Sequence, residues 1–185
     1  MPFITTDFTG LLVYEPVVFG DERGYFFESF NQKTFHAEGV NYTWIQDNQS
    51  YSKYGVIRGL HFQNPPKAQT KLVRVLHGSI WDVAVDIRKG SPTFGKSFGI
   101  ELSSENKLQL LIPHGFAHGF SVLSKEASVL YKCDYLYDKN AEGAIIYNDP
   151  VLNIDWKIPA HEVVLSPKDL VCPTLSAANN EFVFQ

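Results

Sequence analysis

Hydrophobic side chains recur at every second position along several short segments of this chain. Between Ser79 and Ile87, one face carries Trp81, Val83, Val85 and Ile87, and the other carries Ile80, Asp82, Ala84 and Asp86. A period of two residues is the spacing of a β-strand, whereas a helix would repeat every 3.6 residues. We therefore predict a strand at residues 79–87, with the tryptophan-bearing face in a core.

The same alternation predicts further strands along the middle of the chain. They span Lys71–Leu76, Phe98–Leu102, Leu108–Ile112, Phe120–Leu123 and Val129–Tyr137. Short segments rich in glycine, proline, serine and asparagine separate the strands and indicate turns. Many short strands at close spacing are typical of an antiparallel sandwich or jelly-roll barrel. The predicted fold class is therefore all-β, with a few short helices.

The ends of the chain differ from this repeating pattern. A short helix is expected from Asn31 to Gly39, because asparagine is a favoured N-cap and glycine readily ends a helix. From about residue 150, four prolines interrupt the alternation and predict an irregular segment that wraps the barrel. A turn or short helix is expected near residues 166–169. No linker or repeat appears, so we interpret residues 1–185 as one domain.

Composition excludes several classes of function. The formal net charge of -4 at pH 7 argues against a nucleic-acid partner, which would require a basic surface. The N-terminus lacks the features of a signal peptide, and no apolar run is long enough to cross a membrane. Cys133 and Cys172 are too few for a disulfide scaffold. We expect a cytoplasmic protein with no membrane partner.

Several polar residues resemble a metal cupin site from which ligands have been removed. Such barrels supply a His-x-His pair, a nearby carboxylate, and a further histidine after a Pro-x-Gly-x-x-His turn. Here His61 and His118 are present, but Gln63 replaces the second histidine and the carboxylate is missing. A cation at Lys71 would oppose a metal ion further. The pattern therefore predicts proton chemistry, with no metal and no cofactor.

The predicted core strands carry an unusual number of cations. Arg58, Lys71, Arg74 and His118 all lie on or beside them, and polar groups inside a barrel are costly unless they are paired. A bound anionic ligand would pair with these groups. Gly59 is suited to a β-bulge that would turn Arg58 toward the face of His61.

Alternation makes two further geometric predictions. His61 and Gln63 should share one face of their strand. A second common face is expected for Tyr131, Cys133, Tyr135 and Tyr137. Structural interpretations remain open at this point: His61, Tyr131 and Tyr137 as core residues, Arg23 and the 46–48 triplet in turns, and Asp169 as a surface carboxylate.

A long series of motifs resembles the dTDP-4-dehydrorhamnose 3,5-epimerase family. The motifs are Phe19-Gly-Asp-Glu-Arg-Gly-Tyr-Phe-Phe-Glu28, Gln46-Asp-Asn48, Arg58-Gly-Leu-His-Phe-Gln63, Lys71-Leu-Val-Arg74, Asp82-Val-Ala-Val-Asp-Ile-Arg88, Ser91-Pro-Thr-Phe-Gly95 and Ile112-Pro-His-Gly-Phe-Ala-His-Gly-Phe120. The resemblance implies a homodimeric, metal-free cupin jelly roll that inverts C3 and C5 of a nucleotide-linked 4-keto-6-deoxyhexose.

The resemblance also implies roles for individual residues. His61 is the expected general base, Asp169 the carboxylate that orients it, Tyr131 the acid on the opposite face, and Lys71 the cation beside the C4 oxygen. Substrate contacts are expected at Phe19, Arg23, Glu28, Gln46, Asp47, Asn48, Arg58, Gln63, His118, Tyr137, Glu142 and Lys168. The arginines are expected on the diphosphate. Phe19 and Tyr137 are expected near the thymidine and sugar, and Phe19 of one subunit is expected to line the site of the other subunit.

The expected inversion requires three functional groups around the substrate ketone. A hydrogen at C3 or C5 is acidic because the C4 ketone accepts the charge as an enolate, so a base, an oxyanion partner and an acid are needed. A 3- or 5-monoepimerase would use nearly the same groups. Leu136 stands where a second aromatic residue beside Tyr137 is expected, which affects base stacking. A metal-dependent cupin and a non-catalytic sugar-binding jelly roll are the alternatives from other classes.

Overall fold

The computed structural model describes residues 2–185, which form thirteen strands and one α-helix. The strands are β1 (Phe3–Thr5), β2 (Leu12–Tyr14), β3 (Phe19–Asp21), β4 (Gly24–Phe26), β5 (Gln46–Lys53), β6 (Ile57–Gln63), β7 (Lys71–His77), β8 (Ser79–Asp86), β9 (Ser97–Ser103), β10 (Gln109–Ile112), β11 (Phe116–Val122), β12 (Glu126–Cys133) and β13 (Glu142–Ala144). The helix α1 spans Gln32–Ala37, and two 3₁₀ turns span Ala160–Glu162 and Asp169–Val171.

Most strands belong to two antiparallel sheets. The six-stranded sheet has the order β1-β2-β10-β7-β12-β5, and the five-stranded sheet has the order β13-β6-β11-β8-β9. Strands β3 and β4 form a separate hairpin. The two larger sheets face each other, as in a sandwich. The prediction of an all-β antiparallel jelly roll is confirmed.

The central strands of the five-stranded sheet, β6, β11 and β8, are largely buried on both faces, because a different core lies against each one. On its inner face, Ile80 and Val122 pack with Val73 and Leu110 of the six-stranded sheet. On its outer face, β8 packs against the C-terminal segment, including Trp156. The predicted core on the Trp81 face of β8 is therefore confirmed, but the opposite face, expected to be less buried, is buried as well: Asp82 and Asp86 are both 0% exposed.

The C-terminal segment, residues 145–185, is held along the five-stranded sheet by specific hydrogen bonds. The Ser121 hydroxyl donates to the Trp156 carbonyl over 2.5 Å, and the Trp156 indole donates to the Tyr147 carbonyl over 2.8 Å. Farther along, Val164 forms a parallel bridge with Val56 at the start of β6. These contacts place residues 164–169 beside the end of the sandwich that carries His61.

The helix α1 begins and ends where its sequence signals indicate. The Asn31 side chain accepts hydrogen bonds from the backbone N–H groups of Lys33 and Thr34, at 3.0 and 3.4 Å. Gly39, just after the helix, has a φ of +83°, and Phe35 is fully buried. The predicted helix is confirmed. Among residues 2–185, no helix is both long and apolar enough to cross a membrane.

Strand β12 ends earlier than alternation predicted. It stops at Cys133, and the following Asp134 accepts a hydrogen bond from the Thr70 backbone N–H over 2.6 Å. The side-chain oxygen thus takes the place of the Asp134 carbonyl as acceptor, although the Asp134 N–H still donates to the Thr70 carbonyl over 3.4 Å, and the strand ends here. The prediction that Tyr135 and Tyr137 share the face of Tyr131 was therefore wrong, because these two residues lie in a loop.

The predicted bulge in β6 is confirmed. His61 pairs with His118 and Arg58 pairs with Phe120, so three steps along β6 match two steps along β11. Gly59 lies within this irregularity and has a φ of +121°. The extra residue lets Arg58 and His61 face the same cavity.

The bulge gives a prediction about stability. A Cβ on Gly59 would lie 2.5 Å from the Gly119 Cα and 2.7 Å from the His118 carbonyl oxygen. Gly59→Ala should therefore lower the free energy of unfolding by about 3 kcal/mol, through backbone strain and this clash. Urea denaturation measures the change.

Gly90 provides the matched control for this substitution. It also has a positive φ, of +87°, but an added Cβ would meet nothing within 4 Å. Gly90→Ala should cost only about 1 kcal/mol. Equal losses for the two variants would contradict the close approach at Gly59.

Candidate active site

A cavity of about 460 Å³ lies between the two sheets and is bordered by the C-terminal segment. Both sheets contribute side chains to its wall, together with apolar residues such as Ile57 and Phe120. Of the residues predicted to act on a substrate, the cavity is lined by Arg58, His61, Lys71, His118, Tyr131, Lys168 and Asp169. The structure thus brings all four predicted catalytic residues together.

His61 and Asp169 form a hydrogen-bonded pair at the wall of this cavity. The His61 Nε2 lies 2.7 Å from the Asp169 Oδ1, although the residues are 108 positions apart. The other carboxylate oxygen accepts a hydrogen bond from the Ser166 hydroxyl over 2.8 Å. Asp169 is buried, while the His61 side chain remains 30% exposed. The carboxylate is therefore fixed, and the imidazole it orients is accessible.

Burial and charge act on His61 in opposite directions. Burial lowers the pKa of His61, the Asp169 carboxylate raises it, and the cations Lys71 and Lys168 lower it. The balance is a pKa below the ordinary histidine value. A neutral imidazole can accept a proton, so the electrostatics of the site favour a basic role for His61 near neutral pH.

Lys71 and Tyr131 project from the six-stranded sheet. They lie on neighbouring strands, and the Lys71 Nζ is 5.9 Å from the centre of the Tyr131 ring. Burial lowers the pKa of Lys71, an effect that the nearby Asp82 and Glu142 carboxylates oppose. Burial raises the pKa of Tyr131, which Arg58 opposes. The phenol therefore keeps its proton at neutral pH and can donate it.

A second histidine–carboxylate pair lies deeper in the wall. The His118 Nε2 is 2.7 Å from the Asp82 Oδ1, and both side chains are buried. The Asp82 Oδ2 has no hydrogen-bond partner among the described residues. Asp82 therefore places an acceptor and negative charge beneath the cations of the cavity, and it orients His118.

A smaller groove of about 140 Å³ shares His61, Lys71 and Tyr131 with the main cavity. The groove is also lined by the predicted substrate residues Gln46, Asn48, Gln63, Tyr137 and Glu142. At its rim, Lys168 donates to Glu142 over 2.6 Å, and the Tyr137 hydroxyl donates to the same carboxylate over 3.2 Å. The two openings thus form one polar surface around the proposed base.

Four of the predicted substrate residues lie elsewhere on this chain. Phe19 and Glu28 line a separate groove, and Arg23 lies on the β3–β4 hairpin. The Arg23 side chain is 85% exposed and bonds to the neighbouring Asp21. Asp47 lies on the outer side of β5, where it pairs with Lys132 at 3.0 Å. Within one chain, therefore, these four side chains do not line the His61 cavity.

Two further predicted residues differ from their expected environment. Arg58 was expected inside the barrel, but it is exposed at the mouth and donates to the Ser52 hydroxyl over 2.9 Å. Gln63 lines the groove, but both donor hydrogens of its amide are directed to backbone carbonyls, those of Lys67 and Leu136. Gln63 therefore has no free N–H group to offer a substrate.

Sequence reasoning missed Asp82 and Ser166 as parts of the site. Asp82 shares a strand face with the buried residues Ile80 and Ala84, and a buried carboxylate requires a partner. Alternation within one strand assigns this face to the less buried side, because it does not reveal that the other sheet covers it. Ser166 precedes Asp169 by three residues, a spacing typical of local side-chain hydrogen bonds.

The arrangement supplies a base, a cation and a proton donor around one cavity. No group of three or more histidine, cysteine, aspartate or glutamate side chains suited to a metal ion occurs within residues 2–185. The cation of Lys71 and the amide of Gln63, which both line the groove, also do not suit the binding of a metal ion. The site is suited to moving protons to and from a bound anionic molecule.

Comparisons with known proteins identify the relatives of the chain. A family model described as dTDP-4-dehydrorhamnose 3,5-epimerase matches residues 5–177. The enzyme of that name from Shigella flexneri is 54% identical over 171 residues, which cover 92% of this chain and 93% of that protein.

Solved structures agree with the sequence comparison. A dTDP-6-deoxy-D-glucose-3,5-epimerase from Legionella pneumophila, in complex with dTDP-4-keto-L-rhamnose, is 49% identical with a TM-score of 0.90. The match covers 95% of this chain and 93% of that one. A 3'-monoepimerase from Streptomyces bikiniensis, in complex with dTDP-quinovose, is 32% identical with a TM-score of 0.86, covering 92% and 86%.

The opposing influences on the pKa of His61 predict that two substitutions shift this pKa in opposite directions. Asp169→Asn removes the carboxylate charge that raises the pKa of His61, so the pKa should fall further. Lys71→Met removes a cation that lowers it, so the pKa should rise. Titration of the His61 ring nitrogens by ¹⁵N NMR measures both. Shifts in the same direction would contradict the proposed electrostatics.

Proposed function

Because the chain belongs to the dTDP-4-dehydrorhamnose 3,5-epimerase family, we propose that it inverts C3 and C5 of a dTDP-linked 4-keto-6-deoxyhexose. The function is that of an isomerase acting on a small nucleotide sugar. One observation supports the residue assignments above all: His61, bonded to Asp169, and Tyr131 face the same cavity from opposite sheets. Inversion at carbon requires a base on one face of the ring and an acid on the other.

The first step is removal of a proton beside the ketone. The His61 imidazole takes the hydrogen from C3 or C5, and the electrons of the C–H bond move onto the C4 oxygen as an enolate. Asp169 stabilises the imidazolium that forms, and Ser166 holds the carboxylate in place. A positioned base of this kind contributes roughly 10²–10⁴-fold to the rate.

Lys71 stabilises the charge that develops on the C4 oxygen. Its ammonium lies in the cavity wall, and burial lowers its pKa. A partly desolvated ammonium interacts more strongly with an oxyanion than one in water. Because that charge exists only after proton removal begins, Lys71 acts mainly in the transition state.

The second step is proton return from the opposite side. Tyr131 donates its phenolic proton to the same carbon, and the enolate electrons form the new C–H bond. Its raised pKa keeps the phenol protonated until this step. The histidine then carries the abstracted proton and the tyrosine is a phenolate, so exchange with solvent restores both groups. No redox change takes place.

The cations at the mouth support binding of the diphosphate. Arg58 and Lys168 line the cavity, and His118 lies in the same wall. Arginine suits phosphate oxygens because its planar fork donates two hydrogen bonds at once. Tyr137, 56% exposed at the rim, offers an aromatic face to the sugar or thymidine. Glu142 pairs with Lys168 and offers an acceptor to sugar hydroxyls.

The β3–β4 hairpin supports a homodimer in which each chain completes the site of the other. Phe19, Tyr25 and Phe26 are 64%, 61% and 67% exposed, an unusual cluster of aromatic surface. Arg23, a predicted diphosphate contact, lies on the same hairpin, away from the His61 cavity of its own chain. Burying this hairpin on a second copy would cover the rings and deliver Phe19 and Arg23 to that copy's cavity.

Two further assignments rest on less specific observations. We treat residues 1–185 as one domain, because the C-terminal segment packs on the five-stranded sheet and supplies Asp169. Cys133 and Cys172 are free thiols, which is consistent with a reducing compartment such as the cytoplasm.

Solvent exchange tests the reaction. In deuterated water, incubation with dTDP-4-keto-6-deoxyglucose should place deuterium at both C3 and C5, as read by NMR and mass spectrometry. His61→Asn should slow exchange by about 10³-fold, whereas His161→Asn, at an exposed histidine outside the cavity, should not. Tyr131→Phe should impair inversion more than initial exchange.

Other exchange patterns identify competing functions, and deuterium at C5 alone would assign a 5-monoepimerase. Deuterium at C3 alone would assign a 3-monoepimerase, the activity named for the Streptomyces bikiniensis relative. Binding without exchange at either carbon would assign a non-catalytic sugar-binding protein. Equal loss of exchange and inversion in Tyr131→Phe would contradict the tyrosine as the opposite-face acid.

Subunit mixing tests the shared site. Arg23→Ala and His61→Asn homodimers should each have low activity, but mixed dimers would contain one site with both native residues. Co-refolded at equal amounts, they should regain about a quarter of native activity, since half of the dimers are mixed and each has one intact site.

A matched mixture provides the control. Lys71→Met and His61→Asn both alter residues of the same chain's cavity, so their mixed dimers should contain no intact site. An equal recovery of activity in both mixtures, or none in the first, would contradict the contribution of the hairpin across the interface.

A further inference from the structure

The loop that follows β12 carries Tyr137 but has little apolar anchorage. Tyr135, Leu136 and Tyr137 are 36%, 56% and 56% exposed, so hydrophobic burial does not fix their positions. A loop of this kind is expected to be mobile unless its backbone groups are bonded. Its backbone bonds are therefore the feature that determines where Tyr137 lies.

Gln63, the last residue of β6, bonds to the backbone on both sides of Tyr137. Its Nε2 donates to the Leu136 carbonyl over 3.3 Å, and its Oε1 accepts from the Asp138 N–H over 2.8 Å. The second Nε2 hydrogen is directed to the Lys67 carbonyl over 2.6 Å. One side-chain amide thus takes the place of a neighbouring strand. Since Gln63 is only 4% exposed, its amide group is itself shielded from water.

Two other glutamines bond to the same loop. The Gln46 Oε1 accepts a hydrogen bond from the Tyr137 N–H over 2.9 Å. The Gln69 Nε2 donates to the Tyr135 carbonyl over 2.7 Å. Gln46 belongs to the six-stranded sheet and Gln63 to the five-stranded sheet, so the loop is held by both. We call Gln46, Gln63 and Gln69 the glutamine clamp.

We propose that Gln63 is a positioning residue for substrate binding, which sets the orientation of the Tyr137 ring by holding the loop on both sides of it. This rests on the proposed function, in which Tyr137 contacts the nucleotide sugar. A second connection between Gln63 and the Tyr137 ring runs through the backbone. Gln63 pairs with Glu142 in the ladder between β6 and β13. Glu142 in turn accepts the hydrogen bond of the Tyr137 hydroxyl.

The position of Gln63 explains why it acts on binding more than on chemistry. Its side chain bonds to the loop, whereas His61 is held by Asp169 and Lys71 belongs to another sheet. Loosening the loop should therefore weaken binding of the nucleotide and leave proton removal from bound substrate nearly unchanged. A residue needed only for folding would alter both together.

Gln63→Leu tests the clamp, since leucine fills similar space and removes all three hydrogen bonds. We expect the Kd for dTDP, measured by calorimetry, and the KM for exchange to rise at least tenfold. The kcat should stay within about threefold. Gln32→Leu, at an exposed glutamine on α1, is the matched control and should change neither. An unchanged Kd for Gln63→Leu would overturn the proposal.

A double-mutant cycle distinguishes positioning from direct contact. If Gln63 acts through Tyr137, Gln63→Leu should weaken dTDP binding no further in a Tyr137→Ala background. A full additional tenfold loss in that background would show direct binding and overturn the proposal. Gln63→Glu is the second variant should leucine impair folding. The glutamate carboxylate can still accept from the Asp138 N–H, but it cannot donate to the Lys67 and Leu136 carbonyls and is repelled by them. The same increases in Kd and KM are therefore expected.

A measurement on the free protein separates the clamp from the enzymatic function. In Gln63→Leu, amide hydrogen exchange at Asp138 should be at least tenfold faster than in the native protein. If the Asp138 amide of Gln63→Leu exchanged as slowly as in the native protein, the proposal that Gln63 holds the loop would be overturned, even if the native protein proves to be an epimerase. Faster exchange in a protein that neither binds dTDP nor exchanges substrate protons would support the clamp and reject the proposed function.

Discussion

Ionised and polar side chains can line the interior of this sandwich because two buried carboxylates pair with its histidines. Asp169 bonds His61, and Asp82 bonds His118, each over 2.7 Å. Without these partners, both imidazoles would lose a hydrogen bond, and the partly buried Lys71 would lose the nearby charge of Asp82. The carboxylates have different origins, one in a strand and one in the C-terminal segment. The site therefore exists only when the segment is docked on the sheet.

The sequence allowed the fold class to be predicted because β-alternation is a local signal. It also allowed prediction of the bulge at Gly59, since glycine tolerates the backbone conformation required there. It could not link His61 to Asp169, because 108 residues separate them and only family resemblance suggested the contact. The length of β12 was overestimated, because the hydrogen bond from Thr70 to Asp134 is a tertiary contact.

The environments of several polar residues depend on which face of a strand they occupy. Alternation along β5 directs Gln46 and Asn48 to the groove and Asp47 to the outer side, so the three residues of this motif do not share one environment. Asp82 was placed on the less buried face, because one chain segment does not reveal that both faces of its sheet are covered. Phe19 and Arg23 lie on the β3–β4 hairpin, away from the His61 cavity, and the second copy proposed to receive them is not described by any local pattern.

The placement of the proposed base and acid on different sheets has a consequence for how this chemistry can change. His61 belongs to the five-stranded sheet and Tyr131 to the six-stranded one. Facing sheets lie roughly 10 Å apart, a spacing set by the side chains between them. The distance between the proposed base and acid is therefore set by how closely the side chains of the hydrophobic core hold the two sheets together. A change in the volume of residues such as Val73 and Ile80, which pack in the core and do not line the cavity, would therefore alter the separation of the proposed base and acid.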